Sequence, residues 1–448
     1  MTSTDARPPG PPRHPLVGNL PEFARDVLGF LSDCASRYGD VVSIQLGAWP
    51  TLLVSRADLV EQVLAVRYRG FHKHSFFFRH VTAIFGNGLL TSEGDFWLRQ
   101  RRLAQPAFHR DRVAGYASEM VDLAERYCDS WRDGERRDVH REMMALTLHI
   151  VVRTLFGSDV DDRATAEVGR AFDGIVEEIA RRFRRPFRIP DAVPTPGNLR
   201  YRSGVRRLDR LVYRLIEERR RTREERGDLL SLLLRARDED GGRMTDRQLR
   251  DEVVTLFLAG HETTALALSW AWYLLSRHPD KREALERELI EVLADRPPSI
   301  ADLPRLRYAE AVVHESLRLF PPAYAIGREA IEPGELDGCA IPVGTTVLVL
   351  PWILHRDPRY FDGPGEFRPE RWLDGLQGRL PRGAYLPFGA GPRLCIGQPF
   401  ALMEAILILA SVARRFHVDL DPGRTVTPFP SITLRPSGGI PATVRRWR

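Results

Sequence analysis

The sequence predicts a mainly α-helical protein with small β-sheets, an α+β chain folded as one domain over residues 1–448. Apolar residues recur at helix spacing through most of 96–278, while the strand-like runs are short and lie towards both ends. The 35 glycines and 33 prolines are spread along the chain instead of pooled into a linker that would divide it. With 43% hydrophobic and 28% charged residues there is material for one large core, and disorder or a collagen-like repeat is excluded. Four cysteines are too few for a disulfide scaffold.

The chain opens on a Pro-rich stretch, Arg7-Pro8-Pro9-Gly10-Pro11-Pro12, and residues 1–15 read as a flexible N-terminus. They contain no apolar run, so neither a signal peptide nor a membrane anchor is expected, and the protein is expected to be cytoplasmic with reduced thiols. Val41-Val42-Ser43-Ile44-Gln45-Leu46 and Thr51-Leu52-Leu53-Val54 flank Gly47-Ala48-Trp49-Pro50, a hairpin signal. Val205, Leu208, Leu211, Val212, Leu215 and Ile216 form one apolar helix face. Arg237-Asp238-Glu239-Asp240-Gly241-Gly242 is a loop, and Thr345-Thr346-Val347-Leu348-Val349-Leu350 a strand, followed by a loop-dominated region to about Pro392.

The charge balance is 66 basic against 60 acidic residues, and Lys73 and Lys281 are the only lysines. An arginine excess of this kind reads first as coding bias; beyond that it fits a local basic patch for an acidic partner protein, not a nucleic-acid binder. Arg181-Arg182-Phe183-Arg184-Arg185-Pro186-Phe187-Arg188 interleaves bases with aromatics. A loop over a pocket mouth is preferred there to a nucleic-acid or membrane patch.

Thr245 with Gln248 three residues on is a capping-box start, and the helix it opens runs to His278, where Pro279 stops it. At 1.5 Å per residue it spans roughly 50 Å, enough to cross a domain. From Val253 to Leu275 it is apolar all round except at His261-Glu262-Thr263-Thr264. A membrane span would carry Glu262 at a cost of about 2.5–3.5 kcal/mol. A buried core helix is the better reading, and its buried carboxylate then needs a partner or a purpose. Thr263 can turn its hydroxyl onto the carbonyl of Ala259, four residues back, either as a routine back-bond or as part of a groove opened beside Gly260.

Metal patterns fail. His261-Glu262-Thr263-Thr264-Ala265 and His314-Glu315-Ser316-Leu317-Arg318 each lack the second histidine of a zinc-protease site, and Cys34, Cys128, Cys339 and Cys395 show no paired spacing. Cys395 differs in its surroundings. It ends the glycine-rich run Phe388-Gly389-Ala390-Gly391-Pro392-Arg393-Leu394-Cys395-Ile396-Gly397, just before an apolar helix. Backbone N–H groups and a helix N-terminus favour a thiolate, and glycines allow close approach of a flat ligand.

This run has the Phe-x-x-Gly-x-Arg-x-Cys-x-Gly signature of the cytochromes P450, the haem-thiolate monooxygenases. Ala259-Gly260-His261-Glu262-Thr263-Thr264 resembles their oxygen-binding segment, and Glu315 with Arg318 their Glu-x-x-Arg pair. Phe367-Arg368-Pro369-Glu370-Arg371-Trp372 resembles the segment whose arginine, here Arg371, completes a Glu–Arg–Arg cluster. Trp97 and Arg101 match the Trp-x-x-x-Arg over the haem propionates. These motifs follow the family's order over nearly the whole chain.

The resemblance implies a single P450 fold with the long helix over haem b (iron protoporphyrin IX). Cys395 would be the axial thiolate, in the loop that includes Phe388 and Gly397, and Arg393, Arg101, Trp97, Arg328 and Lys73 would hold the propionates. Glu315, Arg318 and Arg371 would be structural. O₂ would be activated beside Ala259–Thr263, with Thr263 and Glu262 routing protons, and one oxygen atom inserted into a C–H bond. Electrons would come from a separate ferredoxin or flavodoxin and its NAD(P)H reductase, since Cys395 lies close to the end of the chain at residue 448.

The substrate pocket would be lined by Phe76, Phe77, Phe78 and Ile84, by Ala259, by Ala323, Tyr324 and Ile326, and by the turn near Phe429–Ile432, all suited to a hydrophobic molecule. The stretch 71–108 resembles bacterial fatty-acid hydroxylases, yet Gln45–Leu53 lacks the arginine with which some of those clamp a carboxylate. That favours a neutral lipid-like or terpenoid substrate. The competing classes are a haem peroxygenase or isomerase, which needs no external electrons, and a non-catalytic haem-binding protein, which needs neither Glu262 nor Thr263.

Overall fold

In the computed structural model the residues described are 8–73, 82–157, 169, 174–175, 178, 193–222, 228–238, 241–421 and 423–447. The alternating run at 41–54 forms the expected hairpin, β1 (Val41–Leu46) antiparallel to β2 (Trp49–Val54). Three further strands are β3 (Phe71–His72), β5 (Ile326–Ala330) and β8 (Thr346–Val349), the last inside the predicted 345–350 run. Together they make one five-stranded sheet in the order β1-β2-β8-β5-β3. β2 and β8 pair in parallel, with Thr51 opposite Thr346 and Val54 opposite Val349.

Successive residues of a strand face opposite sides of its sheet, and both faces are covered here. Val42, Ile44, Leu53 and Leu348 pack with Leu31 and Cys34 on one side, and Val41, Leu52, Val54, Val347 and Val349 pack with Leu59 and Leu64 on the other. The Pro-rich segment, expected to trail freely to residue 15, is held from Pro9 onward. Ser43 donates its N–H to the Pro9 carbonyl (2.8 Å), Asn19 Nδ2 donates to the Pro12 carbonyl (2.7 Å), and Arg13 donates to Ser43 Oγ (2.9 Å). The segment thereby covers the open edge of β1.

Helices build the rest. Those that position the site are α1 (Gly94–Ala104), α2 (Ala117–Asp129), α3 (Val139–Phe156), α4 (Pro196–Thr222), α5 (Asp246–Arg277), α6 (Arg307–Leu319) and α7 (Gln398–Ala413). The capping box forms as expected at the start of α5: Gln248 N–H donates to Thr245 Oγ1 (3.2 Å) and Thr245 N–H to Gln248 Oε1 (2.7 Å). The helix is 32 residues long and packs against α3, α4, α6 and α7. It is buried from Leu249 to Leu275 except at Ala259, Gly260, Thr263 and Tyr273. Among the described residues no helix is long and apolar enough to cross a membrane.

Within the helical stretch lies a strand that the pattern does not announce, β4 (Glu135–Asp138). It pairs with the C-terminal β12 (Pro441–Arg446), which also pairs with β9 (Phe416–Leu420). Two small hairpins complete the sheets: β6 (Gly334–Leu336) with β7 (Cys339–Ile341), and β10 (Pro428–Pro430) with β11 (Leu434–Pro436).

Several histidines lie wholly inside this core and are neutral. Burial pushes His261 and His314 down to about 4. Burial, with the nearby charges of Arg318 and Arg356, pushes His355 down to about 3. His355 Nε2 accepts a hydrogen bond from the Leu386 N–H (2.8 Å), which only the unprotonated nitrogen can do. In the unfolded chain these rings protonate below about pH 6.5, so acid favours unfolding. Their contribution is complete above that value and is lost as pH falls towards 4 and below. Melting followed by circular dichroism should therefore show a flat midpoint above about pH 6.5 and a steep fall below it, shallower in His355→Gln; a midpoint unchanged down to pH 4.5 would contradict this.

Candidate haem-thiolate site

The glycine-rich run folds as a tight loop between the loop-dominated region before it and α7. Its turns are closed by Gly389 N–H to the Leu386 carbonyl (3.1 Å), Leu394 N–H to Gly391 (3.0 Å) and Cys395 N–H to Phe388 (3.0 Å). Gly391 is needed for a double reason. Its φ is +67°, and a Cβ there would lie 2.1 Å from the carbonyl oxygen of Leu64. Phe388 packs partly buried against the main core, and Gly397 leaves its would-be Cβ in ordinary contact with Cys395 Sγ at 3.9 Å.

Cys34 and Cys128 are buried and Cys339 is intermediate, whereas Cys395 is exposed. That exposure is onto an internal cleft, because the thiol is also strongly desolvated. Burial raises its pKa, and the Gly397 and Gln398 N–H groups and the charges of Arg101 and Lys73 oppose that rise. Helix α7, which runs out from the thiol, packs directly on α5. On α5 the open residues Ala259, Gly260 and Thr263 share one face, and Thr263 Oγ1 donates to the Ala259 carbonyl (2.7 Å) as the sequence predicts. Thr264 Oγ1 leans on the Gly260 carbonyl (3.3 Å).

Beside the thiol stands a group of cations. The Arg393 guanidinium lies 3.8 Å from the centroid of the buried Trp97 ring, donates to the Ser92 carbonyl (2.9 Å) and pairs with Glu93. Arg101 lies 6.0 Å from the same ring and donates to the Leu394 carbonyl (2.9 Å), next to Cys395. Lys73 donates its backbone N–H to Glu93 Oε1 (2.5 Å) and Nζ to the Leu90 carbonyl (3.3 Å). Arg328 is 6% exposed and donates to the Gly327 carbonyl (2.9 Å). Burial and mutual repulsion act on the group. Lys73 falls far below its ordinary value through burial and the charges of Arg328 and Arg393; Arg328 falls to about 10 through burial and Arg393; burial takes Arg393 to about 10.

Arg328 and Arg393 therefore bring two largely buried guanidiniums to the carboxylate of Glu93, and the arrangement can take further negative charge. The two propionates of haem b would supply it, and a desolvated cysteine flanked by N–H donors answers the need for a thiolate ligand. The donor set fits the group. Glu93 was not singled out from the sequence; it precedes the first turn of α1 like any helix-flanking acid, and only the fold brings it to Arg393.

Glu315, Arg318 and Arg371 come together in a wholly buried cluster. Glu315 accepts from Arg318 Nε (2.9 Å) and Nη2 (2.8 Å), Arg371 Nε (3.0 Å), Trp372 Nε1 (2.8 Å) and the Arg368 N–H (3.0 Å). The Trp372 and Arg368 donors were not anticipated. Arg318 also donates to the carbonyls of His355 and Pro364 (2.7 Å each) and Glu366 (2.8 Å).

Glu262 lies on a different side of α5 from Thr263. Its Oε1 accepts from Thr433 Oγ1 (2.6 Å) and Arg435 Nε (2.7 Å), with Arg435 Nη2 at 2.6 Å. Of the expected pocket residues, Ile84 is buried and its carbonyl accepts from Arg250 (2.8 Å). Ala323 is exposed and Ile326 half-buried at the start of β5. The Tyr324 ring packs with Leu28 and Leu434, and its hydroxyl donates to the Ser431 carbonyl (2.8 Å). Phe76, Phe77, Phe78 and the Arg181–Arg188 run lie outside the described residues. On the outer side of Arg101 is a hollow of about 700 Å³ lined by Leu98, Arg102, His109, Asp111 and Arg112 among others.

A glycine-rich cysteine loop under a long buried helix, with a cation group beside the sulfur, defines a haem-thiolate protein. The family model for cytochrome P450 matches residues 8–440, and the chain belongs to that family. It is 41% identical to cyclooctatin synthase of Streptomyces melanosporofaciens over 94% of this chain and 92% of that protein. It is 38% identical to cyclooctat-9-en-7-ol 5-monooxygenase of the same species, over 92% of this chain and 89% of that one. To pentalenene oxygenase of Streptomyces avermitilis the identity is 37%, over 94% and 93%. The protein is a haem monooxygenase: it carries haem b on a cysteine thiolate and uses O₂, a hydrophobic substrate and electrons from a redox partner.

Removing the carboxylate at the centre of the buried cluster leaves Arg318 and Arg371 unpaired, a loss of about 3–5 kcal/mol. Glu315→Ala should therefore be purified haem-poor and with a lowered melting midpoint, read from the ratio of haem to protein absorbance; full haem loading in this variant would refute the structural role.

Proposed function

We propose that Cys395 is the thiolate ligand of the haem, and that Lys73, Arg101, Arg328 and Arg393, with Trp97 beneath Arg393, hold its propionates. The observation that carries this is the gathering of the Arg101, Arg328 and Arg393 guanidiniums beside the one exposed thiol. Bound there, haem b supplies reductive activation of O₂ and transfer of one oxygen atom to a C–H bond. The balance is one substrate C–H, one O₂, two electrons and two protons in, and one alcohol and one water out.

The chain's own part is to place the substrate, exclude water and deliver protons. Thr263 is the hydroxyl on the open face of α5, and its bond to the Ala259 carbonyl fixes the oxygen while leaving its lone pairs towards the cleft. Proton work falls to Thr263 in this arrangement, because Glu262 is engaged by Arg435 and Thr433. In Thr263→Ala, haem content and substrate binding should be retained while product per NAD(P)H falls about tenfold or more and peroxide rises. Unchanged coupling would remove Thr263 from the mechanism. That dependence on O₂ and reductant also separates this reading from a peroxygenase or isomerase.

The substrate we infer is a terpenoid. Relatives similar along nearly their whole length are named for oxygenation of pentalenene and of cyclooctat-9-en-7-ol, and Ala259, Ala323 and Ile326 add no charge to the cleft. Gln45–Leu53 offers no cation to a fatty-acid carboxylate. Binding spectra should show a larger high-spin shift with a polycyclic sesquiterpene than with a long-chain fatty acid, and the reverse order would overturn the choice.

The partner we infer is a ferredoxin or flavodoxin served by its own NAD(P)H reductase. The basic hollow around Arg101, Arg102 and Arg112 supports docking there, where Arg101 donates to the Leu394 carbonyl of the Cys395 loop. Electron transfer from a ferredoxin should slow as ionic strength rises from 0.05 to about 0.5 M, where the Debye length shortens to a few ångströms, and Arg102→Glu with Arg112→Glu should flatten that dependence. A rate insensitive to salt in the unaltered enzyme would exclude this surface.

A further inference from the structure

We infer that Glu262 is a positioning residue: its carboxylate fastens the β10–β11 hairpin, and with it the turn at 431–433, to the central helix. The inference rests on the reading of this turn as part of the substrate pocket wall. The hairpin has little to hold itself together. Its register is Pro428 opposite Pro436, Phe429 opposite Arg435 and Pro430 opposite Leu434, and prolines have no N–H for the ladder. Its fixation comes from ties to neighbouring elements.

Some of those ties are to backbone. Leu434 N–H donates to the Pro322 carbonyl (3.0 Å), Trp270 Nε1 to the Leu434 carbonyl (3.0 Å) and Tyr324 Oη to the Ser431 carbonyl (2.8 Å). A further tie is the converging pair on Glu262 Oε1, from Thr433 Oγ1 at 2.6 Å and Arg435 Nε at 2.7 Å. Thr433 is buried and Leu434 wholly so, and Ile432 packs half-buried against the main core. The two residues that flank Leu434, Thr433 in the turn and Arg435 in the strand, thus reach the helix through one carboxylate oxygen.

Helix geometry assigns the separate tasks. Consecutive side chains are about 100° apart around an α-helix, so when Ala259, Gly260 and Thr263 face the cleft, position 262 points elsewhere, here to β11. Burial pushes the Glu262 carboxyl up, but Arg435 and the Thr433 hydroxyl more than offset it and keep the group ionised. An ionised carboxylate holding two donors is built to fasten, and it would have to release both to carry a proton.

The test compares Glu262→Gln, Thr433→Val, Thr433→Ser and the double variant Glu262→Gln/Thr433→Val, each as haem-loaded protein checked first by its carbon monoxide difference spectrum. Loss of that spectrum in the unaltered protein would fail the haem reading itself, separately from this inference. Thr433→Val keeps the ion pair and is the variant least prone to misfold. Hydrogen exchange of the 428–436 peptide should quicken about tenfold in Glu262→Gln and Thr433→Val and stay as in the unaltered protein in Thr433→Ser. Both should weaken binding of 4-phenylimidazole, Glu262→Gln at least as much as Thr433→Val because the latter keeps the Arg435 pair, and the loss in the double variant should be less than the product of the two because they share one carboxylate. The fraction of reductant lost as peroxide with a sesquiterpene should rise in both single variants. Unchanged exchange in Glu262→Gln, or uncoupling in Glu262→Gln while Thr433→Val behaves as the unaltered enzyme, would overturn the positioning role and return Glu262 to proton transfer.

Discussion

A carboxylate with no contact to water, Glu315, is the interaction on which the geometry of the site depends. It accepts donors from its own helix, from Arg371 and Trp372, and from the backbone at Arg368, so it joins α6 to the segment 368–372 at several points. Arg318 extends the network, since its guanidinium also meets the His355 carbonyl. The His355 ring then accepts the Leu386 N–H, and the Leu386 carbonyl accepts Gly389 N–H in the cysteine loop. A continuous chain of hydrogen bonds therefore runs from Glu315 to the loop that presents Cys395. Each link sits in a low-dielectric interior, where a satisfied polar network is rigid and a broken one is costly. The thiol is held in place by a network that it does not itself touch.

The second constraint is electrostatic. Lys73, Arg328 and Arg393 are gathered against their mutual repulsion, with Glu93 as the carboxylate that meets Arg393 and the Lys73 backbone. Burying such a group is costly without negative charge to meet it, and the propionates proposed above would supply that charge. Arg101 links this interior charge to the surface, because it touches the Leu394 carbonyl on one side and lines the basic hollow on the other. The charge that favours the ligand and the thiolate thus continues outward as the charge that would attract an acidic electron donor.

What could be read from the sequence follows the range of the interactions. The capping box and the apolar circumference of α5 are local, and the helix begins and ends where they place it. The 41–54 hairpin likewise depends on alternation and a turn, although β2 begins at Trp49 and not at Thr51. The motif residues Glu315, Arg318 and Arg371 meet because a spacing pattern stands in for their geometry. Partners with no pattern of their own were invisible: Glu93 with Arg393 across 300 positions, and Thr433 with Glu262 across 171. β4 was hidden for the same reason. Glu135-Arg136-Arg137-Asp138 has no apolar alternation, and it becomes a strand because the C-terminal strand β12 lies alongside. The N-terminal segment was misjudged through composition, since prolines deny it helix and ladder bonds of its own while leaving its carbonyls free to accept from Ser43 and Asn19.

Neighbouring residues on the central helix show how one turn can serve three elements. Thr263 lies on the open face, Glu262 reaches β11, and Thr264 faces Glu404 on α7. Glu404 is wholly buried, and burial drives its carboxyl far above the ordinary range against the smaller opposing influence of Thr264. That favours its neutral form, which lessens the negative charge that the helix leaving the cysteine would set against a thiolate. Glu262, equally buried, is ionised because Arg435 is there to meet it. Two glutamates in one core are thus shifted in opposite directions, Glu262 down by Arg435 and the Thr433 hydroxyl and Glu404 up by burial. That difference keeps negative charge away from the sulfur and places it where a strand needs an anchor.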